Sequence, residues 1–133
     1  MSRYLIDTHV FVWLLIAPLR LGREIATRLA DSANAAYVSA ASAVELYDKH
    51  SKGRPTGLEP VLVQGGFAAA AEGAGLMKLD VTIEHAAAMR NLPLVHRDPF
   101  DRLLIAQALC ENLTLVSHDA ALSRYPRLKL LKV

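Results

Sequence analysis

Residues 4–15 read YLIDTHVFVWLL, an apolar run interrupted only by Asp7, Thr8 and His9. An ionised carboxylate is strongly disfavoured in an apolar interior unless it is paired, hydrogen-bonded or bound to a cation. Asp7 therefore stands either at a boundary or in a site. As a boundary, Tyr4 to Ile6 is a short buried strand, Asp7 begins a turn, and Val10 to Ile16 starts a helix that Asp7 or Thr8 caps. Taken alone the stretch favours the cap, and the rest of the chain decides.

Working outward, GREIATRLAD (22–31) sets Ile25 and Leu29 at helical spacing with charges between them. AYVS (36–39) reads as a strand, and Ser42 opens a helix, SAVELYDKHSK, that ends at Gly53. KGRPTG (52–57) is a loop by its Gly and Pro content. Pro60 to Ala74 is Ala-rich and reads as helical despite Gly65 and Gly66, and LMKL (76–79) reads as a strand. Thr82 caps a helix through EHAAAMRN, and NLPLVHRDP (91–99) is a loop. Asp98 and Pro99 then introduce the apolar helix FDRLLIAQALCEN. TLV (114–116) is a strand, Asp119 to Ser123 a short helical turn, and Leu128 to Leu131 a last strand. Short apolar strands alternating with helices predict an α/β fold, a parallel sheet covered by helices on both faces.

The chain has 133 residues, which suits a single domain spanning 1–133 that buries roughly two-thirds of its unfolded surface. Hydrophobic residues make up 53% and charged residues 21%, which excludes a disordered chain. The net charge of +2 permits a nucleic-acid partner without demonstrating one. Cys110 is the only cysteine, so no internal disulfide can form, and its apolar setting predicts a buried thiol in a reducing cytoplasm. Asp7 and His9 break the N-terminal apolar run, which is too short to span a bilayer and lacks a basic leader, so no membrane role is expected.

In parallel sheets ligands bind beyond the carboxyl ends of the strands. Asp7 directly follows YLI, Asp119 follows TLVSH, Glu45 lies one turn into the helix after YVSA, and Asp101 lies in the first turn of its helix. Carboxylates gathered at one rim repel unless protonated or bridged by a cation, and hard oxygen donors suit Mg²⁺ or Mn²⁺. A cation so held activates water and neutralises charge on a phosphodiester. Each acid also has a capping explanation. Ser42-x-x-Glu45 is a capping-box pattern, Asp98 precedes a proline at N1, Asp101 then sits at N3, and Asp119 can cap the last helical turn. Independent caps, however, have no reason to gather at one edge.

LIDTHVFVW, VSAASAVEL, DPFDRLLIAQAL and LVSHD, in this order and at these intervals, resemble the PIN domain, and specifically VapC-type toxins of bacterial toxin–antitoxin pairs. The resemblance runs from Tyr4 to about Val133. It implies a three-layer α/β/α sandwich with a mainly parallel sheet, and a Mg²⁺- or Mn²⁺-dependent endoribonuclease whose acidic quartet falls on Asp7, Glu45, Asp101 and Asp119. On this reading Asp7 and Asp101 ligate the metal, with Glu45 and Asp119 as further ligands. It also implies a homodimer, held inactive by a cognate antitoxin, that cuts tRNA or rRNA when released. Two departures stand out. Ser117-His118-Asp119 replaces the more usual Thr-x-Asp, and DPFDR offers both Asp98 and Asp101, of which the alignment of LLIAQA selects Asp101.

Around the quartet, Thr8, Ser39 and Ser117 are candidates to hydrogen-bond the metal-binding carboxylates, and Asp98 to act as a water-bridged partner. Arg97, Arg102 and Arg20 are candidate phosphate contacts, and His9, His96 and His118 candidate RNA contacts, each with a solvated side chain as the alternative. Trp13 reads as core or dimer surface rather than as a base-stacking platform. Two other functions compete. A haloacid-dehalogenase-like phosphatase needs a second Asp two residues after the first, where this chain has His9, and a degenerate PIN module that only binds a partner should have lost part of the quartet. Zinc is not expected without a Cys/His cluster, and no GxxxxGK is present for nucleotide binding.

Overall fold

The computed structural model describes residues 1–133. Its first strand, β1 (Arg3–Ile6), lies at the centre of a five-stranded sheet ordered β3-β2-β1-β4-β5. The others are β2 (Ala35–Ser39), β3 (Met77–Leu79), β4 (Thr114–Ser117) and β5 (Leu130–Lys132). Every pairing is parallel.

The alternation along β1 explains why it reads as a continuous apolar run. Tyr4 and Ile6 face one layer, with Val10, Phe11, Val38, Leu46 and Phe67, whereas Leu5 faces the other, with Leu104, Ile105 and Leu115. A strand buried on both faces needs apolar residues on both, as a covered parallel sheet requires. The first layer is built by α1 (Thr8–Ile16), α2 (Arg23–Ala30), α3 (Ala40–Ser51), α4 (Glu59–Val63) and α5 (Gly66–Gly73); the second is dominated by α7 (Pro99–Glu111), against which α6 (Ile83–Ala88) packs. Phe11 and Phe67 lie 4.5 Å apart between ring centroids, and Phe11 is fully buried. Burial of such a side chain contributes about 1.5–3 kcal/mol. The result is the expected α/β/α sandwich.

Three local expectations are corrected. The segment from Pro60 to Ala74 is two helices, because the chain turns at Gly65 and Gly66, whose φ of 83° and 81° are left-handed. The helix after β2 begins at Ala40, capped by Ser39, whose Oγ accepts from the Ala41 N–H at 2.9 Å; Ser42 lies inside the helix and is buried. Cys110 is exposed on α7 rather than buried.

Because β2 and β4 flank β1 on opposite sides, the chain leaves β1 in one direction toward β2 and returns on the other side in β4. A crevice opens at such a switch point beyond the carboxyl ends of the strands. Asp7 and Ser117 lie there, the Asp7 N–H donating to the Val116 carbonyl at 3.1 Å.

Candidate active site

The structure shows Asp7 both capping a helix and lining a cleft. Its Oδ1 accepts from the Val10 N–H at 2.8 Å, capping α1, while Oδ2 accepts from the Ser117 hydroxyl at the end of β4. The same carboxylate thus starts a helix and faces the crevice. Burial raises its pKa above the usual carboxylate value, against the lowering by these two hydrogen bonds and by His9 and His118.

Asp7, His9, Asp101, Ser117, His118 and Asp119 line a cleft of about 360 Å³ at this edge, floored by Leu104, Leu115 and Leu122. Three of the four expected acids are therefore brought together. Glu45 stands beside the cleft rather than among its lining residues. Its Oε1 accepts from the Thr8 hydroxyl at 2.7 Å, and the Thr8 Oγ1 lies 2.9 Å from the buried Ser42 Oγ. With the one Thr8 proton committed to the carboxylate, Ser42 supplies the proton between the two hydroxyls. Lys49 reaches the other oxygen of Glu45 at 3.5 Å. The Ser42–Glu45 pair is thus a buried polar tie to α1 instead of a capping box.

Asp101 lies in the first turn of α7, after Asp98, which caps the helix by accepting from the Phe100 N–H at 2.8 Å. The Asp101 pKa is raised to about 6, chiefly by burial and then by the Asp98 carboxylate, with Glu45 and Asp119 adding to the effect and His96 opposing it. Asp119 is held differently. Its Oδ1 accepts from the Ala121 N–H at 2.9 Å, and its Oδ2 lies 2.6 Å from His96 Nε2; that hydrogen bond is the main reason its pKa falls below the usual value.

His96 is in turn fixed by Tyr125, which is buried. The Tyr125 oxygen accepts from the His96 backbone N–H at 3.0 Å and lies 2.7 Å from Nδ1. If the ring is neutral, the Tyr125 proton goes to Nδ1, and the ring's own proton sits on Nε2, pointing at Asp119. Sequence reasoning placed His96 only as a loop residue near RNA and missed Tyr125 altogether. The pairings span 23 and 29 residues, and no local spacing reports them.

Other expected roles fall out differently. Ser39 is buried and donates to Gln107 Oε1, so it reaches α7 rather than a carboxylate. Arg102 donates to the carbonyls of Met89 and Pro93, each at 3.0 Å, and of His96 at 3.4 Å; it ties down the loop before α7 and is not a free phosphate contact. Arg97 is exposed. Arg20 is also exposed, with its guanidinium carbon 4.6 Å from the centroid of the half-buried Trp13 ring.

The carboxylates, with Ser117 and Thr8 hydroxyls beside them, are hard oxygen donors that match the preference of Mg²⁺ or Mn²⁺, and the His9 and His118 imidazoles line the same cleft. The mutual repulsion that helps raise Asp101 is the electrostatic strain a cation would relieve. No three His, Cys, Asp or Glu side chains stand close enough to enclose an ion as they are.

Comparison with curated protein sequences gives no match. Among solved structures the chain is similar to one from VapBC2 of Rickettsia felis bound to a promoter DNA fragment, at 20% identity and TM-score 0.70, covering 98% of each chain. A chain of DNA-bound VapBC from Salmonella typhimurium is 16% identical, TM-score 0.69, with coverage of 99% and 98%. A chain of VapBC-5 from Mycobacterium tuberculosis is 16% identical, TM-score 0.65, with full coverage of both. The model of the PIN domain matches residues 4–128, nearly the whole sequence, and the protein belongs to the PIN domain family.

Proposed function

We propose that the protein is a Mg²⁺- or Mn²⁺-dependent endoribonuclease toxin of the VapC type, cutting tRNA or rRNA and neutralised by a cognate antitoxin. The observation that carries this reading is the cleft at the switch point, where Asp7, Asp101 and Asp119 converge from β1, α7 and the turn after β4. The VapBC structures it resembles support a toxin–antitoxin setting, and a homodimer accompanies that reading. No helix is long and apolar enough to cross a membrane, which accords with a cytoplasmic site of action.

In this reading Asp7 and Asp101 would hold the cation, with Glu45 and Asp119 as further candidate ligands at the same edge. When bound, the cation would supply an activated water and stabilise charge on the phosphodiester. Asp7 is oriented by Val10 and Ser117, so its free lone pairs face the cleft without reorganisation. Asp119, held ionised by His96, keeps a negative charge at the cleft edge, where it can accept a hydrogen bond from the attacking water. Thr8 keeps Glu45 aimed at the same edge.

Inducible expression of the wild type and of Asp7→Asn, with mapping of new RNA 5′ ends, tests the reading. New ends and growth arrest are expected from the wild type alone. Equal RNA and growth profiles for both proteins would favour a degenerate PIN module that only binds a partner. Purified-protein cleavage persisting undiminished in EDTA would eliminate the cation.

A further inference from the structure

Beside the acidic cleft, residues from three parts of the chain form a continuous row of rings. His9 opens α1 and His118 follows β4, their ring centroids 5.1 Å apart and edge to face. His118 lies 4.9 Å from Trp13, one turn further along α1 from His9. Arg20, in the 3₁₀ turn Pro18–Leu21, lies over Trp13 at 4.6 Å. His9, His118 and Arg20 are exposed, Arg20 enters none of the chain's ion pairs, and the two histidines also line the cleft.

A cation–π contact at the surface contributes only about 0.5–1 kcal/mol, so stability is a weak reason for assembling four such groups. Their placement offers a stronger one. The sequences Asp7-Thr8-His9 and Ser117-His118-Asp119 put a ring within two residues of each of two candidate catalytic acids. A strand whose phosphodiester sits at the acids must pass these rings, and aromatic faces interleaved with a cation are what single-stranded nucleic acid recognises.

We infer that His9, His118, Trp13 and Arg20 form the binding subsite for an unpaired nucleotide adjacent to the scissile phosphate. The base packs on the exposed His118 imidazole, against which His9 stands edge to face. The Arg20 guanidinium, held over the Trp13 ring, pairs with the neighbouring backbone phosphate through its fork of donors. This assignment reverses the expectation that Trp13 serves only core or dimer packing, and it rests on the ribonuclease reading above.

Trp13 is the sole tryptophan, so its emission reports the subsite directly. The test uses the Asp7→Asn protein, to prevent cleavage, titrated with an end-labelled single-stranded oligoribonucleotide of about ten nucleotides, a length within the usual span of such sites. Label anisotropy and Trp13 emission are followed together. Both should change saturably with one affinity, and Arg20→Ala or His118→Ala, each an exposed substitution, should weaken binding about tenfold. Arg20→Lys should recover only part of the loss, since lysine keeps charge without the planar fork. Unchanged Trp13 emission, with equal RNA affinity in all variants, would overturn the subsite while leaving the ribonuclease reading intact. An emission change with an acidic peptide but not with RNA would assign the row to a protein partner and overturn it too. Absence of RNA binding here together with absence of RNA cleavage by the wild type in Mg²⁺ or Mn²⁺ would remove both.

Discussion

The two walls of the cleft are built on different principles. One comes from β1, α1 and α3, where Asp7 is tied to Val10 and Ser117, and Glu45 to Thr8, with Ser42 fully buried behind them. The other comes from the start of α7 and the turn after β4, where Asp98 and Asp101 are exposed and Asp119 leans on His96 from a loop. The first wall is fixed by strand and helix register. The second is held by long-range ties, Arg102 to three loop carbonyls and Tyr125 to His96. Such an arrangement pairs Asp7, fixed by two hydrogen bonds, with the exposed Asp101.

The sharpest way to break this contrast lies in Asp101. Asp101→Asn removes charge while keeping shape, and RNA cleavage should fall by more than the roughly 10–100-fold typical of losing a residue that merely supports a metal ligand. Thermal stability should hold, because the substitution relieves repulsion from Asp98. Cleavage rates and melting curves on one preparation check both halves.

His96 tests whether the loop-borne wall is positioned through Asp119. His96→Ala should lower the cleavage rate roughly 10–100-fold. His96→Gln, whose amide N–H can still reach Asp119, should recover part of it, and recovery is the readout that a purely structural role would not give. Arg102→Ala should instead act through folding. It leaves three carbonyls without their charged donor and should cost about 2 kcal/mol in urea unfolding.

The smallest effects belong to Asp98. Asp98→Ala removes the cap on Phe100 and should lower stability by about 1 kcal/mol, while Asp98→Asn should cost only a few tenths. An inactive but stable Asp98→Asn beside an active Asp101→Asn would show that the two aspartates have exchanged roles.

How far the sequence reached follows the same division. The order of strands and helices was legible because β1 and β4 carry short apolar stretches, Tyr4–Ile6 and Leu115–Val116, each followed within three residues by an acid. Asp98 as the cap of α7 and Asp119 as the cap of the last turn were legible from local spacing. What local spacing does not encode is which partner a polar side chain finds across the fold. Ser39 meets Gln107, Arg102 meets the loop, and His96 meets both Tyr125 and Asp119. The choice between cap and cleft at Asp7 was also undecidable from sequence, because one oxygen caps α1 while the other meets Ser117 beside the cleft.

The central claim is that the two walls share one divalent cation, and calorimetric titration of Mn²⁺ into the wild type, Asp7→Asn and Asp101→Asn tests it most directly. Each substitution should weaken binding at least about tenfold, since ligands dominate affinity more than the residues behind them. Wild-type binding should also be tighter at pH 7 than at pH 5. With a pKa of about 6, Asp101 is mostly protonated at the lower pH and must release that proton to bind, whereas at the higher pH the carboxylate is already ionised. Equal Mn²⁺ affinity in all three proteins, with no dependence on pH, would contradict the claim.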